Sequence, residues 1–361
     1  MNKFLLLTLA ASTFVILSDP VQTFAASNVP VVRIVDSRAG ASKGLHAGML
    51  AVDIPGEVLD AIKNASVISV IPINSEESFG QQVIKADQIV FAPGSRMILK
   101  GLNYPWIAVV TKQLRFSDPS LFSFIMRDPA VVSAADGNAG TTGSKGADGS
   151  GEVNRQGNPG SAGQDGTAGE SGATQQLPTI YVIAGEILDP GGAIPPGFLN
   201  FGISVPGING GDGARGGTGG AGGAGAPGKE GATSLFDCKE GPGRGGRGGD
   251  GGRGGRGGDA GNGGNGADIV YVTLADGMQV LSYARVNDRG GLAGAYGMGG
   301  QPGNAARGGR GGPSNGWCQA GSPGATGDVP NPAHLGNGNA AVDGEKGEVT
   351  GVIVDDINIF F

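Results

Sequence analysis

Residues 207–231 read GINGGDGARGGTGGAGGAGAPGKEG, and every third residue of this stretch is glycine. After a break around Cys238 the pattern resumes from Gly243 to Gly264, where many triplets hold two glycines, as in Arg244–Gly249. Three residues per turn is the period of a polyproline II helix, and glycine at every third position leaves one side bare for another backbone. The stretch therefore predicts glycine-rich polyproline II (polyglycine II) helices.

Three such excursions occur, at 137–172, 207–266 and 290–347. A collagen triple helix would need three chains, strict Gly-X-Y and abundant proline, yet only Pro227 and Pro242 lie between Gly207 and Gly264. Triplets with two glycines suit a helix that has neighbours on two sides. We therefore predict a monomer in which the helices pack within one chain, rather than a collagen-like trimer. A flexible glycine-rich linker is the third alternative, and the strict register disfavours it.

Each excursion is interrupted near its middle by bulkier residues. These breaks predict hairpins of extended helix with tips at Glu152–Arg155, Leu235–Glu240 and Pro313–Gln319. Each leg of the second hairpin, with about 25 residues, would reach roughly 75 Å if straight. The tips of the second and third hairpins hold the two cysteines of the chain, Cys238 and Cys318.

Residues 1–25 have the pattern of a secretory signal peptide, with Lys3, an apolar run and small residues before a cleavage site after Ala25. Nothing later in the sequence resembles a membrane span. Secretion to the extracellular space or the cell surface places the chain in an oxidising compartment, where two cysteines on matched tips predict a disulfide between Cys238 and Cys318.

The composition limits both the core and the partners. Glycine supplies 74 of 361 residues and the formal net charge is −7. So much glycine leaves no ordinary packed core for a chain of this length, and the negative charge argues against general binding to nucleic acid.

Strand-like segments lie between the excursions. Trp106–Val110, Thr179–Ile183 and Asp268–Val272 are each followed by a second apolar segment (Leu121–Met126, Phe198–Val205 and Val280–Val286) and then by an excursion. This repeat predicts an all-β fold, a small β-solenoid or sandwich core that the last residues, Ile357–Phe361, would cap. We divide the chain into an N-terminal β domain (26–135) and the repeated strand-pair units with their excursions (136–361). Ile89 and Ile107 stand 18 residues apart, a spacing typical of one solenoid coil.

The periodicity over about 137–347 resembles that of polyglycine II proteins, namely the glycine-rich insect antifreeze proteins and the glycine-rich tail-tip adhesins of some phages, and of secreted collagen-like bacterial surface proteins. The resemblance to the adhesins implies that loops at the hairpin tips contact a receptor. The signal peptide departs from the phage pattern.

Motifs for catalysis, cofactors and metals are weak. His46 and His334 lack metal-ligand spacing, the Gly-Gly-Asp-Gly segments at 210–213 and 248–251 lack the aliphatic position of calcium-binding repeats, and Asp355 and Asp356 would point to opposite faces of a strand. We therefore predict a non-enzyme with no catalytic residue, no metal and no cofactor. The arginine column of the second hairpin resembles an RNA-binding box, but its alternating Asp residues predict a solvated, sign-mixed face: Arg244, Arg247, Asp250, Arg253, Arg256 and Asp259.

These observations favour a secreted structural or adhesive protein whose tips bind a surface, a glycan or a protein, with Trp317, Phe236 and Arg155 as candidate binding residues. The alternative for Trp317 is packing against Phe236 over the disulfide. Two other functions stay open. One is ice binding through Ala214, Thr218, Ala221 and Ala224, and the other is polysaccharide chemistry by a β-solenoid enzyme within residues 26–135.

Overall fold

The computed structural model describes residues 33–35 and 54–361, so the predicted signal peptide and His46 lie outside the described part. The helices are α1 (Gly56–Asn64), α2 (Ala275–Leu281) and a short 3-10 helix (Ile357–Phe360). The strands, in chain order, are β1 (Arg33–Val35), β2 (Ile68–Ile73), β3 (Glu76–Phe79), β4 (Val83–Phe91), β5 (Arg96–Leu99), β6 (Trp106–Phe116), β7 (Ser123–Arg127), β8 (Glu152–Val153), β9 (Gln156–Gly157), β10 (Thr179–Asp189), β11 (Gly192–Ala193), β12 (Phe201–Ser204), β13 (Ala232–Thr233), β14 (Cys238–Glu240), β15 (Ile269–Thr273), β16 (Arg285–Asn287) and β17 (Val349–Ile353). None of the described helices is long and apolar enough to cross a membrane.

The described strands confirm a β-rich fold. Most of them form two parallel sheets, and the chain alternates between the two. The first sheet has the order β1-β17-β15-β10-β6-β4-β2, with β11 added antiparallel to β10, and the second has the order β16-β12-β7-β5-β3. Strands from before and after position 135 share both sheets.

The parallel register stacks aliphatic side chains of successive strands. Ile107 pairs with Ile180, Ile180 with Ile269, and Ile269 with Val349. Ile89 does not pair with Ile107, which is 18 residues after it. Ile89 lies between Ile71, which is 18 residues before it, and Leu114.

The largest hydrophobic core packs between the two sheets. Phe91 stacks on Phe116 at 5.4 Å between ring centroids, and Phe201 meets both rings edge-on. A second cluster covers the other face of the first sheet, where Val58 and Ile62 of α1 and Ile357 and Phe360 of the C-terminal 3-10 helix are buried. The last residues thus cap a sheet, as expected.

The segment Val280–Val286 is not the strand that was predicted. It contains the end of α2, and the strand β16 begins only at Arg285. Met278 and Leu281 are buried three residues apart, which is the spacing of one helix face. A short apolar run does not distinguish a strand from a helix turn by periodicity alone.

Six glycine-rich legs run between the strands, two in each excursion. We name them 1a (134–149), 1b (157–173), 2a (207–229), 2b (243–266), 3a (288–312) and 3b (321–347). Hydrogen bonds link them with a period of three: Gly143 N donates to Thr218 O at 2.8 Å, and Gly146 N to Ala221 O at 2.8 Å. The residue numbers of donor and acceptor increase together, which means that the two legs run parallel. Legs 1a, 2a and 3a form one parallel layer in this way, and legs 1b, 2b and 3b form another. Between the layers the numbers run in opposite directions, as in Gly249 N to Gly223 O and Gly252 N to Gly220 O.

Legs with two glycines per triplet occupy the middle of this arrangement. A Cβ added at Gly219 would lie 2.1 Å from Gly252 O, and one added at Gly220 would lie 2.0 Å from Ser144 O. Leg 2a is therefore bare on two sides because backbones contact it on two sides. Leg 1a lies at an edge, and its second glycine position holds Asn138, Thr141 and Ser144 instead.

Candidate functional site at the hairpin tips

The tips of the three hairpins meet at one end of the molecule. The predicted disulfide is present, and it joins the tips of the second and third hairpins with 4.9 Å between the Cα atoms of Cys238 and Cys318. Arg155 joins the first tip to the second. Its guanidinium donates to the carboxylate of Glu240, to Glu230 O and, at 3.1 Å, to Gly241 O.

The backbone of the first tip is shaped for this contact. Strands β8 and β9 are joined by Asn154 and Arg155, whose φ angles are 49° and 68°. Two consecutive positive φ values match a type I′ turn, the turn that fits the twist of a two-stranded hairpin. Asn adopts this conformation readily, whereas for Arg it costs energy. The three hydrogen bonds of the Arg155 side chain offset that cost.

Three large apolar side chains are exposed on the linked tips. The exposed fractions are 86% for Leu235, 85% for Phe236 and 65% for Trp317. The indole Nε1 of Trp317 donates to Leu235 O at 3.4 Å, which ties the third tip to the second. The rings of Trp317 and Phe236, both in the described part of the chain, do not stack or meet edge-on. Packing of Trp317 against Phe236 is therefore not observed, and both rings face solvent.

The loops that carry these side chains are held by local contacts. Asn315 and Cys318 exchange backbone hydrogen bonds of 3.1 and 2.8 Å, and Ser234 N donates to Asp237 O at 2.8 Å. Cys318 is 2% exposed, and a Cβ added at Gly231 would lie 2.9 Å from its Cβ. Cys318 is thus buried against Gly231, whereas Cys238 is half-buried.

Four charged residues at the tips form two ion pairs. Arg155 pairs with Glu240, and Lys229 pairs with Glu152 at 3.4 Å. Asp237 accepts a hydrogen bond from Cys238 N at 2.7 Å. Asp237 and Lys239 are exposed and make no ion pair among the described residues, so the tips offer a ligand charged groups beside the apolar side chains.

The other candidate residues have structural roles. His334 Nδ1 accepts from Gly336 N at 3.0 Å, and Asp356 Oδ1 accepts from Asn358 N at 2.9 Å at the start of the 3-10 helix. In the two Gly-Gly-Asp-Gly segments, Asp212 and Asp250 each accept a backbone N–H of the next leg at 2.7 Å. Among the described residues no group of three acidic, His or Cys side chains is placed to hold a metal ion.

The arginine column of leg 2b is sign-mixed, as the sequence predicts. Arg247 pairs with Asp250 at 2.7 Å and with Asp328 of leg 3b at 2.6 Å, and Arg256 pairs with Asp259 at 2.6 Å. These ion pairs occupy the outward face of the leg.

The four residues considered for ice binding do not share one column. Thr218, Ala221 and Ala224 accept through their carbonyl groups from leg 1a, whereas Ala214 donates its N–H to Glu170 O. Arg215, also a carbonyl acceptor from leg 1a, takes the position in that column that was assigned to Ala214. Ala214 and Thr218 are four residues apart, which a period of three does not align.

Sequence reasoning did not single out Glu240, Glu230 and Leu235. The first two are the anchors of Arg155, and the third is the most exposed apolar side chain of the tips. All three lie in or beside the predicted second tip, but only the three-dimensional arrangement places them against Arg155 and Trp317.

No protein-family model and no curated protein matches this chain. A comparison with solved structures found a springtail antifreeze protein from Granisotoma rainieri, described as a bundle of nine polyproline type II helices. It is 26% identical over 52% of this chain and 94% of its own, with a TM-score of 0.09. A score this low carries no argument about fold or function.

Proposed function

We propose that this chain is a secreted, non-enzymatic adhesive protein in which a β-solenoid carries a bundle of polyproline II legs, and the linked tips of those legs bind an extracellular surface, glycan or protein. The observation that carries the proposal is the exposure of Leu235, Phe236 and Trp317 on cross-linked loops.

Two features support the proposed architecture. The chain alternates between two parallel sheets, which is how successive coils of a solenoid add strands. The legs hydrogen-bond every third residue, which is the period of polyproline II. Neighbouring backbones supply the hydrogen bonds that an isolated polyproline II helix lacks.

The exposed apolar side chains of the tips support the proposal that the tips bind a ligand. Contiguous exposed apolar residues are typical of interaction sites, and aromatic rings give large contact areas at small entropic cost. A disulfide, the Trp317 hydrogen bond and the Arg155 contacts keep the loops in one arrangement. Such preorganisation reduces the ordering cost of binding.

The test compares two variants of the mature, oxidised protein on a panel of immobilised polysaccharides and extracellular proteins. The first carries Leu235→Ser, Phe236→Ser and Trp317→Ser. The matched control carries Phe198→Ser and Tyr283→Ser, which remove exposed aromatic side chains away from the tips (70% and 62% exposed). We expect the tip variant to lose binding to any ligand of the parent protein and the control to retain it. Equal binding by the tip variant would refute recognition by the tips.

A further inference from the structure

The two outer edges of the bundle differ. At the edge formed by the first hairpin, side chains of leg 1b cover backbone N–H groups of leg 1a. Thr167 Oγ1 accepts from Thr141 N and Ser161 Oγ accepts from Ala147 N, each at 2.6 Å, and Glu170 accepts from Asn138 N at 3.3 Å. Three of the four N–H groups at positions 138, 141, 144 and 147 of this edge are therefore already paired.

The edge formed by the third hairpin is open near the tips. Within the described part of the chain, the N–H groups of Ala305, Gly308 and Gly311 on leg 3a have no hydrogen-bond partner. On leg 3b the carbonyl groups of Gly321, Gly324 and Gly327 also have none. Unpaired donors and acceptors therefore line up on two adjacent legs, three residues apart.

This open edge repeats the edge by which the second hairpin receives the third. There, Gly225 N and Gly228 N donate to the carbonyls of Arg307 and Arg310 at 3.1 and 2.9 Å. Gly246 O accepts from Gly309 N at 2.8 Å. Gly225 and Gly308 hold equivalent positions in their hairpins. Ala226, the residue after Gly225, accepts from Gly246 N of leg 2b, and Gly309, the residue after Gly308, accepts from Gly324 N of leg 3b, both at 2.8 Å. An incoming leg would thus find on hairpin 3 the same donors and acceptors that leg 3a finds on hairpin 2.

The outward side chains beside the open edge are cationic. Arg307 and Arg310 are exposed and make no ion pair among the described residues. In the other layer, Arg247 occupies an equivalent outward position and pairs with Asp328 of the next leg at 2.6 Å. By the same geometry, an acidic residue on an incoming leg would face Arg307 or Arg310.

We propose that the outer edge of hairpin 3 binds an acidic polyproline II segment of another polypeptide, which lies parallel to leg 3a and adds to the bundle as a further leg. The occupant is extended, with glycine where it faces leg 3a and Asp or Glu at the outward position of each triplet. This resembles the addition of a peptide strand to an exposed sheet edge, with main-chain hydrogen bonds repeated at a fixed period. The inference uses the polyproline II conformation proposed above for the legs, but not the tips.

The positions of an incoming leg specify a probe. Its first residue per triplet needs no N–H. Its second donates to leg 3b, and at the matching positions of leg 3a it is glycine at 303, 309 and 312 and alanine at 306. Its third must offer its carbonyl to leg 3a and an acid to the arginines. The peptide (Pro-Gly-Asp)4 meets all three conditions, and proline favours the extended helix in advance. Two control peptides are (Pro-Ala-Asp)4, which adds one methyl group where backbones touch, and (Pro-Gly-Lys)4, which reverses the charge.

The experiment measures binding of the labelled peptides to the mature, oxidised protein by fluorescence anisotropy at low salt. Ala305→Pro removes one donor from the open edge, and Pro302 already occupies the equivalent position one triplet earlier, so the variant should fold. We expect Ala305→Pro to weaken (Pro-Gly-Asp)4 binding by about fivefold, the worth of one hydrogen bond. Arg307→Ala with Arg310→Ala should weaken it by up to about tenfold and reduce its salt dependence. Arg215→Ala, on the same outward face but on leg 2a, is the matched control and should bind as the parent does.

Both control peptides should bind at least about fivefold more weakly than (Pro-Gly-Asp)4. No binding of (Pro-Gly-Asp)4, or equal binding by the Ala305→Pro variant with an unchanged thermal midpoint, would overturn the proposal. Self-association seen by light scattering and abolished by Ala305→Pro would name a second copy of the chain as the occupant, and would overturn it as well. Loss of surface binding in the tip variant leaves these peptide measurements unaffected, so the two proposals fail separately.

Discussion

The carboxylate of Asp250 accepts a hydrogen bond of 2.7 Å from the backbone N–H of Asp328 on the neighbouring leg. Along each leg two N–H groups of every triplet can reach adjacent backbones, and the third points outward. Asp and Asn side chains on leg 2b accept a hydrogen bond from that third N–H in leg 3b. Asp268, shortly after leg 2b, does the same for Glu348, directly after leg 3b. The further pairs are Asp259 with Asn339, Asn262 with Val342, Asn265 with Glu345 and Asp268 with Glu348, at 2.7 to 3.1 Å.

These bonds predict that the stability of the bundle falls in acid. The N–H of Asp328 and then Arg247 hold the pKa of Asp250 below its ordinary value of 3.8. The N–H of Asn339 and then Arg256 do the same to the pKa of Asp259. A carboxylate whose pKa is depressed by folding stabilises the fold above its unfolded pKa, and this contribution is lost as the pH falls through the folded pKa.

We therefore expect Asp250→Asn with Asp259→Asn to reduce the fall in thermal midpoint between about pH 5 and pH 2. Asn keeps the acceptor, as Asn262 and Asn265 do, but does not titrate there. Asp60→Asn, an exposed acid on α1, is the control and should leave the pH profile unchanged. A profile identical to that of the parent would mean that the hydrogen bonds of these two carboxylates contribute nothing measurable to stability.

The packing of glycine legs predicts a large effect from one methyl group. A Cβ at Gly249 would lie 1.9 Å from Ser161 O, whereas a Cβ at Gly241 would meet nothing within 4 Å. We expect Gly249→Ala to lower the free energy of unfolding by about 1–3 kcal/mol or more, as overpacking does, and Gly241→Ala to change it little. Chemical denaturation followed by circular dichroism measures both. Similar values for the two variants would contradict close backbone contact in leg 2b.

The aromatic cluster between the sheets should dominate the stability of the β core. Phe201 is 0% exposed and contacts Phe91 and Phe116 edge-on. Phe201→Ala should cost about 3–5 kcal/mol of unfolding free energy, through lost burial and the cavity that remains. Phe198→Ala, which removes a ring that is 70% exposed, is the matched control and should cost far less. Urea unfolding gives the comparison, and a cost below that of the control would argue against the cluster.

The disulfide should stabilise the linked hairpins. It closes a loop with a sequence separation of 80, for which the chain-entropy estimate is roughly 4 kcal/mol. Cys238→Ser, Cys318→Ser and the double variant should all lose the same free energy of unfolding, because each breaks the same bond. Adding reductant should lower the free energy of unfolding of the parent protein to that of the variants, and should leave the variants unchanged. A single variant that is much less stable than the double variant would indicate a role for the thiol beyond the disulfide.

Several features were readable from the sequence because they depend on local chemistry. The breaks at Leu235–Glu240 and Pro313–Gln319 mark tips because bulky residues cannot occupy a bare glycine edge. Legs with two glycines per triplet lie between neighbours for the same steric reason. The pairing of Cys238 with Cys318 followed from their matched positions on two hairpins.

Other features were not readable. Val280 stands at the end of a helix because buried Met278 and Leu281 favour one helix face, a preference that a short apolar run does not reveal. Ile89 pairs with Ile71 and Leu114 rather than with Ile107, a register that an 18-residue spacing alone does not determine. The exposure of Leu235 and Phe236 depends on which tips meet.

The period of three, the out-and-back path of each excursion and the cysteine pair follow from the sequence, because each of these depends on residue type at fixed spacing. The identity of neighbouring legs, and the contact of Arg155 with Glu240 across 85 residues of chain, emerge only in the folded chain. The legs recognise each other through backbone N–H and carbonyl groups, which are the same in every triplet. Their register is therefore set by the stacked strands from which the hairpins start.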